Sequence, residues 1–402
     1  MTQTEIPSPN TDAAVEWRGE ILSAFGPAIK ARMILKMLLE AGLPLKIIPN
    51  DNHIPQHLKI VDTYWARKIA ESAIMTEANV RINYCPPPEA EYKDGALNIL
   101  CCTWETTRFP IAWAQKMNQA DFIIVESQDL VIAATAAGVN KPIVALPTPV
   151  DTDMFSLETP RMSIEGVGDE DFVFMINCSW IPRKNFGDLL IAYVSAFAGT
   201  SNTVLVIKTW GEETVQFKAT VHQNVRDRIG AIDIGPKPRI IVFPDRLPDL
   251  QYAKFLSRAD VYVSFSHGEG YDLPMMQAMS MGKLCIGQPF LGRSEFMREN
   301  NSYPVRYTLA PVVDAKVPLY TGDQLWSRPD LQHAVHQMQR AYKASNYYPH
   351  MNKHGKLAIA EKARQTIVDN FSVSKCTNAW GQILQNLINQ AAKQPEPEVQ
   401  HA

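Results

Sequence analysis

The sequence has 402 residues, of which 46% are hydrophobic and 20% are charged, and its formal net charge is −3. This length is enough for two domains of ordinary size, each with its own core. The slightly acidic balance gives no support for a broad surface that binds nucleic acid, although it leaves open a local basic cleft.

The six cysteines form no C-x-x-C pair, and most of them lie in apolar runs. This pattern is typical of reduced core thiols and not of a disulfide framework or a zinc site. The N-terminus lacks the features of a secretory signal, and no run reaches the roughly 18 apolar residues of a membrane helix. We therefore predict a cytoplasmic protein, and we leave open a peripheral contact of the basic residues Lys30, Arg32 and Lys36 with anionic lipid.

Predicted helices and strands alternate along the chain. A helical pattern occupies 28–42 and ends at a glycine, the residue that commonly closes a helix. Short apolar runs rich in Val, Ile and Phe are predicted as strands at 98–104, 121–127, 142–147, 172–180, 203–211, 239–244, 260–266 and 284–289. Such runs are typical of parallel strands that are buried on both faces. The alternation predicts an α/β protein with doubly wound sheets.

A segment rich in proline and acidic residues, 146–160, divides this pattern into two halves. We predict a Rossmann-like domain over 1–150, a second Rossmann-like domain over 151–372, and an interdomain cleft. A C-terminal helix is predicted over 373–389, and whether it packs back on the first domain is left open. Residues 390–402 are predicted to form a flexible tail.

The stretch SHGEGYDLPMMQAMSMGK begins at Ser266, where a predicted strand gives way to a loop. Ligands of open α/β sheets bind beyond the carboxyl ends of the strands, so this loop is a candidate site. Gly268 and Gly270 allow a close approach of the backbone, and Pro274 suits the first turn of a helix whose free N–H groups would favour a diphosphate. From these residues alone, a plain turn with an exposed Glu269 is an equal alternative.

The same stretch resembles the signature of the glycosyltransferase family 4 type, which has the GT-B fold of two facing Rossmann-like domains. In that signature a glutamate and a second glutamate eight positions later flank a G-x-x-L-P-like turn. Further similar fragments lie at 104–127, 172–197, 287–297 and 322–338, and the resemblance spans roughly residues 19–389. It implies a retaining, metal-independent transferase without a cofactor, which uses a UDP- or GDP-linked sugar as donor and a hydroxyl group as acceptor.

The resemblance also implies roles for individual residues. Glu269 matches the first glutamate, which contacts the donor sugar near the reacting carbon, and Gln277 stands where the second glutamate holds the ribose. Lys184 matches a lysine that binds the diphosphate. Ser179 replaces the usual arginine five residues earlier, so Arg183 is the candidate for the missing cation, with a solvated charge pair as the alternative. The remaining donor-binding candidates are Gly268, Gly270, Tyr271, Asp272 and Leu273.

The acceptor side is predicted in the N-terminal half. Gly26 lies in the segment that takes the place of the family's first glycine-rich loop, without the usual paired glycines. Trp104 and Glu105 fall where the family commonly has a histidine, and they are candidates for the acceptor side or for fold elements. A D-x-D sequence at 151–153 imitates the metal motif of another glycosyltransferase fold, but it follows a proline-rich loop, and no metal site is predicted.

The function predicted from the sequence is that of a retaining glycosyltransferase, either a hexosyl- or a pentosyltransferase. A glycan, a lipid-linked glycan and a hydroxymethylated DNA base are left open as acceptors, and so are the sugar, its linkage and the oligomeric state. Two alternatives are a nucleotide-sugar epimerase of similar fold and a catalytically degenerate subunit that binds a sugar nucleotide. Gln277, Ser179 and the missing histidine favour the degenerate subunit, because each departs from the family pattern.

Overall fold

The computed structural model describes residues 15–23, 25–51, 63–73, 78–210, 215–312, 314, 317–347 and 357–391. The described residues form two compact units. The first unit takes its residues from Met1–Trp104, Arg108–Pro149 and Phe371–Ala402, and the second takes them from Glu105–Thr107 and Val150–Asn370. Nearly all of the predicted flexible tail lies outside the described residues.

The first unit is built on a parallel six-stranded sheet with the strand order β2-β1-β3-β4-β5-β6. The strands are β1 Val15–Gly19, β2 Leu45–Pro49, β3 Val80–Tyr84, β4 Leu97–Cys101, β5 Phe122–Val125 and β6 Ile143–Ala145. The helices are α1 Gly26–Glu40, α2 Thr63–Ser72, α3 Ile111–Met117, α4 Gln128–Ala136 and the C-terminal helix, α11, Val373–Ala391.

Helix α1 confirms the predicted helical pattern, and Gly42 follows it with a φ of 82°, the left-handed turn that often ends a helix. Two of its three basic residues are engaged inside the unit. Lys30 Nζ lies 2.7 Å from a carboxylate oxygen of Glu126, and Arg32 donates to two backbone carbonyl groups. Lys36 is the exposed member of the three. The helix therefore does not present these residues as one basic face to a lipid surface.

The C-terminal helix α11 packs on the first unit. Trp380, Leu384 and Ile388, spaced four residues apart on one face of the helix, lie in the same buried cluster as Trp17 of β1 and Leu35 of α1. The indole Nε1 of Trp380 also donates to a backbone carbonyl at 2.9 Å.

The second unit contains another parallel six-stranded sheet, in the order β12-β11-β10-β7-β8-β9. Its strands are β7 Phe172–Asn177, β8 Thr203–Lys208, β9 Arg239–Phe243, β10 Val261–Ser264, β11 Leu284–Gly287 and β12 Tyr303–Pro304, and an antiparallel pair joins β13 Tyr307–Pro311 to β14 Leu325–Pro329. Its helices are α5 Phe186–Phe197, α6 Val215–Gly230, α7 Asp249–Ser257, α8 Leu273–Ser280, α9 Leu331–Tyr347 and α10 Ala358–Phe371.

Strands β7, β8, β10 and β11 are buried along their whole length. This is why their sequences are almost continuous runs of apolar residues. The predicted α/β class with two doubly wound sheets is confirmed. All six cysteines are buried and free of disulfide bonds. No helix within the described ranges combines the length and the apolar character needed to cross a bilayer.

Candidate functional site

The candidate site lies on loops at the carboxyl ends of three neighbouring strands of the second unit. Strand β10 lies between β7 and β11, and the loops after these strands begin at Cys178, Phe265 and Gln288. Because the carboxyl ends of parallel strands meet at one edge of a sheet, these loops converge there. The first loop contains the partly buried Ser179 and a short 3-10 helix, Pro182–Lys184, before α5 begins.

Glu269 is paired with two cations. Its Oε1 accepts a 2.6 Å hydrogen bond from Nζ of Lys184, and its Oε2 lies 3.3 Å from Nη1 of Arg183. Only 11% to 13% of the area of these three side chains is exposed. The loop after β7 and the loop after β10, which the sequence selected separately, therefore contribute to a single charged cluster.

Neighbouring charges favour the ionised forms of Glu269 and Arg183. Burial disfavours the charged form of Glu269, but the positive charges of Lys184, Arg183 and Arg293 outweigh burial and hold the pKa of its carboxyl well below the ordinary range. Burial likewise opposes the charge of Arg183, but the neighbouring carboxylates of Glu105 and Glu269 raise its pKa. The formal charges of Lys184, Arg183, Glu105 and Glu269 cancel.

Arg183 joins this cluster to Glu105. Its Nη2 lies 3.1 Å from Oε1 of Glu105, and its Nη1 donates a 2.6 Å hydrogen bond to the carbonyl oxygen of Gly268. A Cβ atom on Gly268 would lie 1.9 Å from the carbonyl oxygen of Glu105, so only glycine permits this close approach. Glu105 was predicted from the sequence as a candidate for the acceptor side or for a fold element. Its carboxylate contacts the guanidinium group of Arg183, within the second unit.

Asp272 closes the loop after β10 and caps α8. It adopts a φ of 61°, in the left-handed region, and its Oδ1 accepts a 3.4 Å hydrogen bond from the N–H of Met275. The sequence predicted that the first N–H groups of this helix are open to an anion. That expectation is wrong for Met275, because aspartate is a favourable N-cap and tolerates the left-handed conformation.

Arg293 lies on the loop after β11, in the segment 292–295 that the sequence suggested as lining the same pocket, but it was not named individually. It is only 1% exposed. Its Nε donates to Oδ2 of Asp272 at 2.6 Å, and its Nη2 donates to Oγ of Ser264 at 2.7 Å. Burial raises the pKa of Asp272 although Arg293 favours its charged form. An arginine in a polar loop is typical of an exposed surface, so the sequence contained no clear signal of this buried pair.

The other donor-side candidates lie in the same loop and in α8. Tyr271, Leu273 and Gln277 are all buried, with exposed fractions of 0%, 6% and 5%. Gly270 packs against the next loop, since a Cβ atom on Gly292 would lie 2.0 Å from its carbonyl oxygen. Gln277 therefore lies inside the protein.

The acceptor-side candidates of the first unit, Gly26 and Trp104, lie in different surroundings. Gly26 is the first residue of α1, and a Cβ atom there would meet nothing within 4 Å. The loop that precedes it is held by Asp51, whose Oδ2 accepts three backbone N–H groups. Trp104 is 5% exposed and packs edge-on against Trp113 at 4.6 Å between ring centroids. Its surroundings are those of a core residue.

The D-x-D sequence forms a local turn. Oδ1 of Asp151 accepts hydrogen bonds from the backbone N–H groups of Asp153 and Met154. Across the part of the chain that the structure describes, no three His, Cys, Asp or Glu side chains are grouped as metal ligands would be. The carboxylate of Asp151 thus stabilises the local turn.

No protein-family model matches the sequence, and no curated protein matches it. Solved structures do match. The chain is similar to sucrose-phosphate synthase from Thermosynechococcus elongatus, with 12% identity and a TM-score of 0.62 over 94% of this chain and 100% of that one. It is also similar to Anabaena HepE in complex with UDP and glucose, with 12% identity and a TM-score of 0.59 over 93% of this chain and 100% of that one.

A third match is the pneumococcal O-GlcNAc transferase GtfA in complex with UDP and GlcNAc, with 15% identity and a TM-score of 0.51. The match covers 82% of this chain but only 60% of GtfA. These neighbours share the GT-B fold. At such identities the likeness shows the fold alone, and together with the two parallel six-stranded sheets it establishes that this chain has the GT-B fold.

Proposed function

We propose that the chain is a glycosyltransferase that moves a sugar from a UDP-linked donor to a hydroxyl group of an acceptor, with retention of the anomeric configuration. The observation that carries this proposal is the cluster of Glu269, Lys184 and Arg183 at the carboxyl edge of the second sheet. The choice of UDP is supported by neighbours of the same fold that were solved with UDP, one with glucose and one with GlcNAc.

The two cations are the groups that hold the diphosphate in this proposal. Both follow β7 and point at the loop after β10, so one ligand can reach both of them. Charge-assisted hydrogen bonds from Lys184 and Arg183 to phosphate oxygens replace their bonds to Glu269. The carboxylate of Glu269 is thereby released to accept hydrogen bonds from the donor sugar.

The transfer step then needs positioning and charge neutralisation. The bond between the anomeric carbon and the β-phosphate oxygen breaks, the acceptor oxygen bonds to the same face of that carbon, and the acceptor proton passes to the leaving phosphate. Positive charge develops at the anomeric carbon, where the ionised Glu269 stabilises it. Lys184 and Arg183 stabilise the negative charge that grows on the departing diphosphate.

The test compares the parent chain with Lys184→Met and Glu269→Ala. UDP should raise the melting temperature of the parent by mass action. Lys184→Met should weaken UDP binding by about 10- to 100-fold, as expected for the loss of a charge-assisted contact of about 1.5–3 kcal/mol. Glu269→Ala should keep UDP binding and lose about 10²–10³-fold in donor hydrolysis and transfer, the range found when one electrostatic group is removed.

The matched control is Lys36→Met, which removes an exposed lysine of α1 and should behave like the parent. If UDP and UDP-sugars do not bind to the parent, the proposal is wrong. If UDP-sugars bind but no transfer occurs with a panel of acceptors, the chain is a sugar-nucleotide-binding subunit, which the departures at Gln277 and Ser179 would then explain.

A further inference from the structure

The short segment Glu105–Thr107 is fixed to the second unit by hydrogen bonds that do not involve the side chain of Glu105. The N–H of Thr107 donates to the carbonyl of Leu325 at 3.0 Å, and the N–H of Leu325 donates to Oγ1 of Thr107 at 3.0 Å. Oγ1 of Thr106 donates to Oε1 of Gln324 at 2.8 Å, and both residues are fully buried. The position of Glu105 is therefore set by its neighbours in the chain.

This fixed segment places the carboxylate of Glu105 beside that of Glu269. Oε1 of Glu105 lies 3.1 Å from Nη2 of Arg183, and Oε2 of Glu269 lies 3.3 Å from Nη1 of the same side chain. Two carboxylates thus share one guanidinium group. The side chain of Glu105 is 23% exposed, compared with 11% for Glu269, so Glu105 is the more accessible of the two.

The charge balance of the cluster changes when a donor binds. Without a ligand, Lys184 and Arg183 balance Glu105 and Glu269. When a diphosphate binds Lys184 and Arg183, the carboxylates of Glu105 and Glu269 lose these partners and lie beside the bound sugar. A carboxylate removed from water is costly unless it accepts hydrogen bonds. Sugar hydroxyl groups and a sugar ammonium group can supply those hydrogen atoms, whereas the carboxylate of a uronic acid adds a like charge that repels both residues.

We propose that Glu105 is a second carboxylate of the donor site and that, together with Glu269, it restricts the donor to neutral or amino sugars and excludes uronic acids. This inference rests on the proposed function, because it concerns a sugar nucleotide bound at this cluster. It assigns Glu105 to donor selection, in place of the acceptor-side role expected from the sequence.

The experiment measures by calorimetry how tightly the parent and Glu105→Gln bind UDP, UDP-glucose and UDP-glucuronate, and repeats the comparison with UDP-galactose and UDP-galacturonate. Within each pair the two sugars differ only at C6, so the ratio of their affinities isolates the added carboxylate. The parent should prefer the neutral sugar by at least about tenfold, the order expected for like charges a few ångströms apart in a partly dehydrated site. Glu105→Gln should reduce this preference about fivefold or more.

Glu105→Asp is the conservative variant, because it keeps the charge; it should retain the preference even where the overall affinity falls. A purely structural role of Glu105 would weaken both sugars of a pair equally in Glu105→Gln and leave the ratio unchanged, which would overturn the inference. Equal binding of the neutral sugar and the uronate by the parent would overturn it as well. If UDP binds and the sugars are not discriminated, only the role of Glu105 is lost; if UDP itself does not bind, the proposed function is lost too.

Discussion

Replacing Gly268 by alanine tests the close approach of two backbone segments on which the site depends. The added Cβ atom would lie 1.9 Å from the carbonyl oxygen of Glu105. Ordinary contacts begin at 3.4 Å, so one of the two segments must move by about 1.5 Å. The obstacle is backbone, and Thr107, two residues further along, is held by two hydrogen bonds to Leu325. The strain cannot be relieved by rotating a side chain.

The shift should disturb both contacts that orient Arg183, namely its hydrogen bond to the carbonyl of Gly268 and its ion pair with Glu105. A misplacement of about 1 Å can lower a rate by about 100-fold. We therefore expect Gly268→Ala to lose at least about 100-fold in kcat/KM for the UDP-sugar and to weaken UDP binding. Overpacking at this position should also lower the free energy of unfolding by about 1–3 kcal/mol, measured by urea denaturation.

The matched control is Gly230→Ala, at the end of α6, where an added Cβ atom meets nothing within 4 Å. It should leave turnover unchanged and alter stability by at most about 1 kcal/mol in the stabilising direction. If Gly268→Ala binds UDP and turns over within a factor of two of the parent, the close approach of Gly268 to Glu105 is not needed for the site, and the reasoning from it fails.

Three further predictions concern buried polar groups. Asp272→Asn keeps the N-cap but leaves Arg293 without its counter-ion, so the free energy of unfolding should fall by about 3–5 kcal/mol. Adding Arg293→Met should recover most of this loss in urea denaturation. If the effects of the two substitutions on stability simply add, the pairing is contradicted. Burial lowers the pKa of Lys283 from 10.5 to about 7, so the unfolded chain binds the extra proton between these values. The free energy of unfolding should therefore rise with pH across this interval by up to about 5 kcal/mol. Lys283→Met should lack that rise. Parallel curves of stability against pH for the variant and the parent would refute the lowered pKa of Lys283. Gln277→Glu should strengthen UDP binding about fivefold through a charge-assisted hydrogen bond to the ribose, and an unchanged affinity in calorimetry would speak against a ribose contact.

Elements that are buried on both faces could be predicted from the sequence, because their whole length is apolar. Strand β8 is an example, since each of its six residues is buried. Strands β1 and β3 were not predicted, because charged residues interrupt their apolar pattern. Glu16 of β1 and Arg81 of β3 form an ion pair at 2.9 Å across the sheet, and such pairing depends on which strands become neighbours.

The same distinction applies to the candidate site. The loops that contain Lys184 and Glu269 were selected from their positions at strand ends and from the resemblance to a known signature. The 2.6 Å contact joins residues that lie 85 positions apart in the chain. The contact between Glu105 and Arg183 and the burial of Arg293 could not be predicted. The local sequences around Glu105 and Arg293 do not differ from those around exposed charged residues.

The sequence by itself determined the α/β class, the main buried strands and the loops in which polar residues follow them. This was possible because burial and backbone conformation leave a periodic pattern within a single element. Only the tertiary structure decided that Asp272 caps α8 and that Glu105 and Glu269 share Arg183. The physical reason is that the energy of a charge depends on the distance to its partners and on its exposure to water, and folding sets both by joining segments that are remote in the chain.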